Sequence, residues 1–129
     1  DLCLGARPLV WIEQPLFVPC GLGEVLRKPV IDELRVSAVD GAATNQLAQH
    51  EGAAQLAARG ILWAPDFVVN AGGVIYLSMA SEPNADAAAI DARVAAIGDT
   101  ITTIFREAAQ NGTTTLEAAE ALSAARFAA

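Results

Sequence analysis

Three short apolar runs constrain what this chain can fold into: Leu16-Phe17-Val18, Val36-Ser37-Ala38-Val39 and Ile61-Leu62-Trp63-Ala64. Each is β-rich and each ends in a turn signal. Pro19 closes the first, with Cys20-Gly21-Leu22-Gly23 as a loop; Asp40-Gly41 closes the second; Pro65-Asp66 turns the third. Strands buried on both faces read as continuous apolar runs, which is the mark of a parallel sheet. The segments between them suit helices. Residues 24–34 predict a short helix that Pro29 keeps from being one long one. Residues 45–59 predict another, with Leu47, Ala54, Leu56 and Ala58 on a rough apolar face and Gly60 as its C′ residue. Strand, loop, helix and strand in this order describe βαβ units. Phe67-Val68-Val69 carries the apolar character onward into Asn70-Ala71-Gly72-Gly73.

The last third changes character. Residues 86–110 are rich in alanine and carry Ile90, Val94, Ile97, Ile101 and Ile104/Phe105 at spacings of three and four, one apolar stripe on a long helix. Asn84 or Asp86 can cap its start, and Asn111-Gly112 ends it. Thr114-x-x-Glu117 fits a capping box for a last helix with Leu116, Ala119 and Leu122 on one side.

Composition excludes several functions. The chain has 129 residues, the length of one domain, and is 53% hydrophobic, which rules out disorder. No uncharged apolar stretch reaches the roughly 18 residues of a membrane span. No signal-peptide pattern opens the chain, so a cytoplasmic protein is expected. The net charge of −7, from 15 acidic and 8 basic residues, argues against nucleic-acid binding through a basic patch. The two cysteines, Cys3 and Cys20, make no disulfide scaffold, and His50 is the single histidine, so no histidine-rich metal site can form. A Ser-His-Asp triad would have to use His50, and no nucleophile-elbow motif accompanies it. The chain starts at Asp1 and its one methionine is Met79, which leads us to expect a processed product or a piece of a longer chain.

Ligands of open α/β sheets bind at the carboxyl ends of the strands. The loops expected there are 19–23, 41–46 and 70–73, all small and glycine-bearing. Gly21-x-Gly23 lacks the third glycine of a dinucleotide fingerprint, because Leu26 stands in its place, and no Walker A motif is present. Asn45 and Asn70 are polar amides in apolar surroundings and must be satisfied. For Asn45 the alternatives are a helix N-cap or a ligand contact; for Asn70 they are a left-handed turn residue or a ligand contact. Lys28 beside Pro29 reads as a surface residue, not as a buried base, and His50 as exposed.

Three segments together carry a resemblance. Residues 17–25, FVPCGLGEV, resemble "VPCALGGVI" of the Glu/Leu/Phe/Val dehydrogenases. Residues 39–47, VDGAATNQL, resemble their "VAGSANNQL". Residues 60–75, GILWAPDFVVNAGGVI, resemble their "GILYAPDYVINAGGVI" almost throughout. The leucine, valine and phenylalanine dehydrogenase branch is the nearest in pattern. Ala96-Ile97-Gly98-Asp99-Thr100 and Leu116-Glu117-Ala118-Ala119 are similar to its C-terminal region, and the resemblance covers about residues 16–127. It implies NAD-dependent oxidative deamination of a branched-chain or aromatic L-amino acid to a 2-oxo acid and ammonium. It also implies roles. Cys20, Gly21 and Leu22 match a loop lying against the nicotinamide ribose, and Asn70 matches the Asn beside the nicotinamide. Asn45 matches a substrate contact, and Val74 and Leu77 match positions facing the substrate side chain.

Departures from the family pattern sharpen the expectation. Thr44 replaces the first Asn of "NNQL" and Asp40 replaces a small residue. The family's "GGxK" lysine, its general-base lysine and its first βαβ unit have no counterpart, so no catalytic residue is assigned. The expected fold is α/β, the second half of a Rossmann-like parallel sheet with flanking and C-terminal helices. Residues 1–129 are expected to be a partial NAD-binding domain, with 1–15 unassigned. Alone, such a chain is expected to turn over no amino acid and to form a homo-oligomer, since a half-sheet exposes edges and apolar surface. The alternative is a non-catalytic, self-associating α/β module derived from such an enzyme. A nucleotide-binding regulator is a weaker reading, for want of a phosphate loop.

Overall fold

A computed structural model describes residues 14–128. The apolar run Leu9-Val10-Trp11-Ile12 lies outside these residues. The chain divides into two compact units, the first ending at Asp66 and the second beginning at Phe67.

In the first unit β1 (Gln14–Phe17), α1 (Lys28–Glu33), β2 (Val36–Val39), α2 (Gly52–Ala58) and β3 (Leu62–Trp63) alternate. The strands are parallel in the order β1-β2-β3, with Leu16 opposite Ala38 and Val39 opposite Trp63. This is the βαβαβ arrangement that the apolar runs predict. α1 packs on α2, and α2 on β3. Leu26, Ile31, Leu34, Val39 and Leu56 are fully buried and form the core. Each such aliphatic side chain contributes about 1.5–3 kcal/mol by leaving water.

Two local expectations need correcting, and one segment left unassigned gains a structure. Pro29 does not interrupt a helix: it stands in the first turn of α1, where its missing N–H leaves no helical bond unmade. The helix expected over 45–59 is realised only as Gly52–Ala58, with Glu51 at its N-cap position. Asn45 is therefore not a helix N-cap; its φ of 51° is left-handed. Residues 45–51 are diverted because Gln46 O accepts from Leu26 N and Ala48 N donates to Leu26 O, a parallel bridge that takes the place of helical bonds. Finally, Phe67-Val68-Val69 belongs to a one-turn helix, α3 (Asp66–Val69).

The second unit continues through α4 (Gly72–Ala80), α5 (Ala87–Asn111) and α6 (Thr115–Ala128). α5 packs against both α4 and α6. Ile104, Ala108, Ala118 and Ala119 are its buried centre, with Val68, Ile101, Phe105 and Leu122 packed around them. Of the two candidate caps for α5, Asp86 is the one used: its carboxylate accepts from Ala88 N at 3.0 Å. Gly112 ends the helix at φ 65°. The capping box before α6 is complete, with Glu117 N donating to Thr114 Oγ1 at 3.1 Å and Thr114 N donating to Glu117 Oε2 at 2.8 Å.

The end of α1 is held by a side chain from the far side of α2. Arg59 donates to the carbonyls of Ile31 and Leu34, the latter at 2.8 Å, satisfying acceptors that a helix terminus leaves free. We expect Arg59→Ala to lower stability by about 1.5–3 kcal/mol, the range for hydrogen bonds to a charged group. Urea denaturation followed by circular dichroism checks this; an unchanged midpoint would show that the clamp is dispensable.

Candidate functional site

Because the three strands are parallel, their carboxyl ends lie along one edge of the sheet, and the loops that follow β1 and β2 meet there. These loops are joined by backbone. Asp40 N donates to Phe17 O at 3.1 Å, Ala43 N to Pro19 O at 2.9 Å, Glu24 N to Asn45 O at 2.6 Å and Leu26 N to Gln46 O at 2.9 Å. Two glycines permit the approach. A Cβ at Gly41 would stand 2.3 Å from Pro19 O, and one at Gly23 would stand 2.8 Å from Thr44 O. Both glycines are thus demanded by close packing of loop on loop. Glu24 takes a left-handed φ of 58° where the first loop turns back.

Beneath this pair of loops lies a buried polar cluster. Gln46 has no solvent exposure. Its Nε2 donates to Gly41 O at 2.6 Å and to Ala43 O at 3.0 Å, while its Oε1 accepts from Trp63 Nε1 at 3.1 Å. Its backbone N donates to Asp66 Oδ2 at 2.6 Å, and Asp66 is itself buried. The sequence reading missed Gln46, Trp63 and Asp66. The available signal was that each sits inside a motif, with Gln46 beside Asn45 and Asp66 in the turn after β3.

Among the expected site residues of the first unit, Cys20, Gly21, Leu22 and Asn45 are all exposed on these loops. A Cβ on Gly21 would meet nothing within 4 Å. The loop apex therefore presents open backbone.

In the second unit, Asn70 lies between α3 and α4. It is half-buried and its φ is not left-handed, so the turn-residue alternative falls. Among the described residues, its Nδ2 is buried without a hydrogen-bond partner. Val74 and Leu77 follow on α4, a helical turn apart and 72% and 69% exposed. Spacing of three places them on one face of the helix. Lys28 pairs with Asp32 at 2.8 Å on the surface of α1, both side chains more than half exposed, as expected of a solvated residue. Among the described residues no group of His, Cys, Asp or Glu is placed to hold a metal ion, and no helix is long and apolar enough to cross a membrane.

A glutamate/leucine/phenylalanine/valine dehydrogenase family model matches residues 5–129. The chain belongs to that family. It is 40% identical over 107 residues to phenylalanine dehydrogenase of Bacillus thermotolerans, covering 83% of this chain and 28% of the relative. It is 41% identical over 114 residues to valine dehydrogenase of Streptomyces albus, covering 88% of this chain and 31% of the relative. The crystal structure of L-tryptophan dehydrogenase from Nostoc punctiforme superposes with a TM-score of 0.85 at 36% identity, over 93% of this chain and 36% of that one. The chain thus spans about a third of the length of its relatives, and the Rossmann-like α/β fold expected of such a part is the fold found.

The loop contact at Gly41 gives this family member a direct test. Gly41→Ala drives a methyl group into Pro19, and overpacking of this kind costs about 1–3 kcal/mol. We expect a lowered thermal midpoint together with shifted amide resonances in both loops. Unperturbed resonances at Pro19's neighbours would contradict the contact.

Proposed function

We propose that this chain is part of an NAD-dependent L-amino-acid dehydrogenase acting on a branched-chain or aromatic amino acid, and that it supplies the nicotinamide-facing loops and part of the side-chain pocket. The observation that carries this reading is the buried, unpartnered Nδ2 of Asn70. An unpaired buried donor costs about 1–3 kcal/mol, and a ligand oxygen placed against it recovers that cost. A nicotinamide carboxamide or a ribose hydroxyl offers such an acceptor. The open backbone of Cys20, Gly21 and Leu22 suits close approach by the ribose. When bound, NAD supplies the hydride acceptor for the amino acid α-carbon. Asn45 offers an amide to the polar end of the amino acid or 2-oxo acid, and the exposed Val74 and Leu77 offer an apolar wall to its side chain. Lys28, in its surface pair with Asp32, is not the general base, so the proton-accepting lysine of the reaction belongs to another part of the enzyme.

Reduced nicotinamide mononucleotide isolates the half of the cofactor that these residues would meet. We expect saturable binding to the purified chain, read from the backbone amide resonances of Ala71 and Gly72. Asn70→Ala should weaken it about fivefold, the equivalent of about 1 kcal/mol for one hydrogen bond. Absence of saturable binding, or equal binding by the variant, would remove the cofactor reading.

A second reading, self-association of the chain, is favoured by one observation. α4 buries none of its residues fully, and Val74, Tyr76 and Leu77 are each more than half exposed. A groove of about 680 Å³ in the second unit is lined by Phe67, Ile75, Ile97, Leu122 and Phe127, and Phe127 is 91% exposed. Apolar surface gathered in this way marks an interface. Sedimentation velocity at micromolar concentration is expected to show a dimer or larger species, and a clean monomer would exclude this reading.

A further inference from the structure

We propose that the Asp66 carboxylate and the Gln46 side-chain amide are positioning groups that hold Asn45 in its left-handed conformation at the carboxyl end of the sheet, with Trp63 fixing the direction of the Gln46 amide. The purpose assigned to Asn45, to meet the substrate, rests on the dehydrogenase reading; the positioning itself rests on geometry.

The peptide unit between Asn45 and Gln46 is gripped at both ends. Its oxygen accepts from Glu24 N at 2.6 Å, and its nitrogen donates to Asp66 Oδ2 at 2.6 Å. With both poles held, the plane of this peptide cannot rotate, and the ψ of Asn45 is fixed with it. The left-handed φ of 51° is costly for a residue with a Cβ, though least so for asparagine, and it persists only where surroundings over-determine it. A helical alternative over 45–51 would have to turn Asn45 out of its left-handed conformation and take Gln46 O away from Leu26 N.

The side chain of Gln46 completes the hold. It spans the inside of the loop from Gly41 O and Ala43 O to the Trp63 indole. Its orientation is set by complementarity. Turned over, the amide would place its oxygen against two carbonyls and its NH₂ against the indole N–H, losing all three bonds. Trp63 has no acceptor on its indole nitrogen, so it reads the oxygen end of Gln46 and nothing else. Trp63 lies in β3 and Gly41 follows β2, so the cluster ties the loop that bears Asn45 to the adjacent strand. Asn45 itself remains exposed, with its side chain free of this network and available to a ligand.

The test uses the full chain labelled with ¹³C and ¹⁵N. The Cα and Cβ shifts of Asn45 report its left-handed conformation, and the core methyl resonances of Val39 and Leu56 report the fold. Asp66→Ala removes the acceptor, Asp66→Asn returns an oxygen to the same place, and Trp63→Phe removes only the indole donor and some volume. Loss of the left-handed shifts in Asp66→Ala and Trp63→Phe, with their return in Asp66→Asn, is the expected result. Retention of those shifts in the folded variants would overturn the proposal. Should Asp66→Ala fail to fold, Trp63→Phe decides alone by the same shifts. Titration with phenylpyruvate then separates this proposal from the functional one. Perturbation of the Asn45 side-chain amide in the native chain, lost in Trp63→Phe, supports both. If the native chain gives no perturbation, the dehydrogenase reading fails, while the conformational shifts of Asn45 still decide the positioning role.

Discussion

The carbonyls of Gly41 and Ala43 have no strand beside them, and Gln46 is what satisfies them. Where the parallel ladder ends, the loops after β1 and β2 must still find partners for every buried backbone group. They do so partly through one another and partly through this one amide, which acts as a substitute for ladder hydrogen bonds. The burial of Gln46 is tolerable because every polar atom of its side chain that faces the loop or Trp63 is matched. A single failed contact in a buried network of this kind costs about 1–3 kcal/mol. That is why the loop is built around glutamine, which alone carries two donors and an acceptor at the reach required. The close approach at Gly41 and Gly23 follows from the same constraint, since loops drawn together around one amide leave no space for a Cβ.

This also explains which parts of the first unit could be read from residues. The strands were legible because each is a continuous apolar run between turn signals, although in this chain β1 and much of β2 stay exposed. The helix over 45–59 was overestimated for a physical reason. Leu47, Ala48, Gln49 and His50 have adequate helix propensity, and propensity is a weak prior that tertiary bonds override. Nothing local in NQLAQHEG announces that Gln46 will be bound from twenty residues away, by Asp66. The two asparagines also departed from their expected conformations. Asn70, set before two glycines, resembles a left-handed turn residue, and Asn45, set before a helix-like segment, resembles an N-cap. The long-range grip on the 45–46 peptide makes Asn45 the left-handed one.

The second unit was more legible because its signals are local. The stripe from Ile90 to Phe105, the carboxylate of Asp86, Gly112 and the Thr114–Glu117 box all act within a few residues of themselves. α4 is the exception. It is apolar on all sides, with no polar face to show which way it turns, so periodicity has nothing to report. Helices of that kind are normally enclosed. Its exposed Val74, Tyr76 and Leu77 are accordingly the apolar surface of this unit that has most to gain by being covered.

On the proposed reading, each unit offers a ligand its own kind of group, and the two kinds have opposite energetics. The loops of the first unit are satisfied internally, so a ligand arriving there meets a shape that is already fixed and loses little entropy in ordering it. Asn70 is the reverse: among the described residues its buried Nδ2 has no partner, so it is a desolvated donor that a ligand acceptor can complete. Rigid loops confer selectivity without much affinity, because their hydrogen bonds are spent within the fold. An orphaned donor confers affinity, and it acts only on a ligand whose oxygen falls at that point.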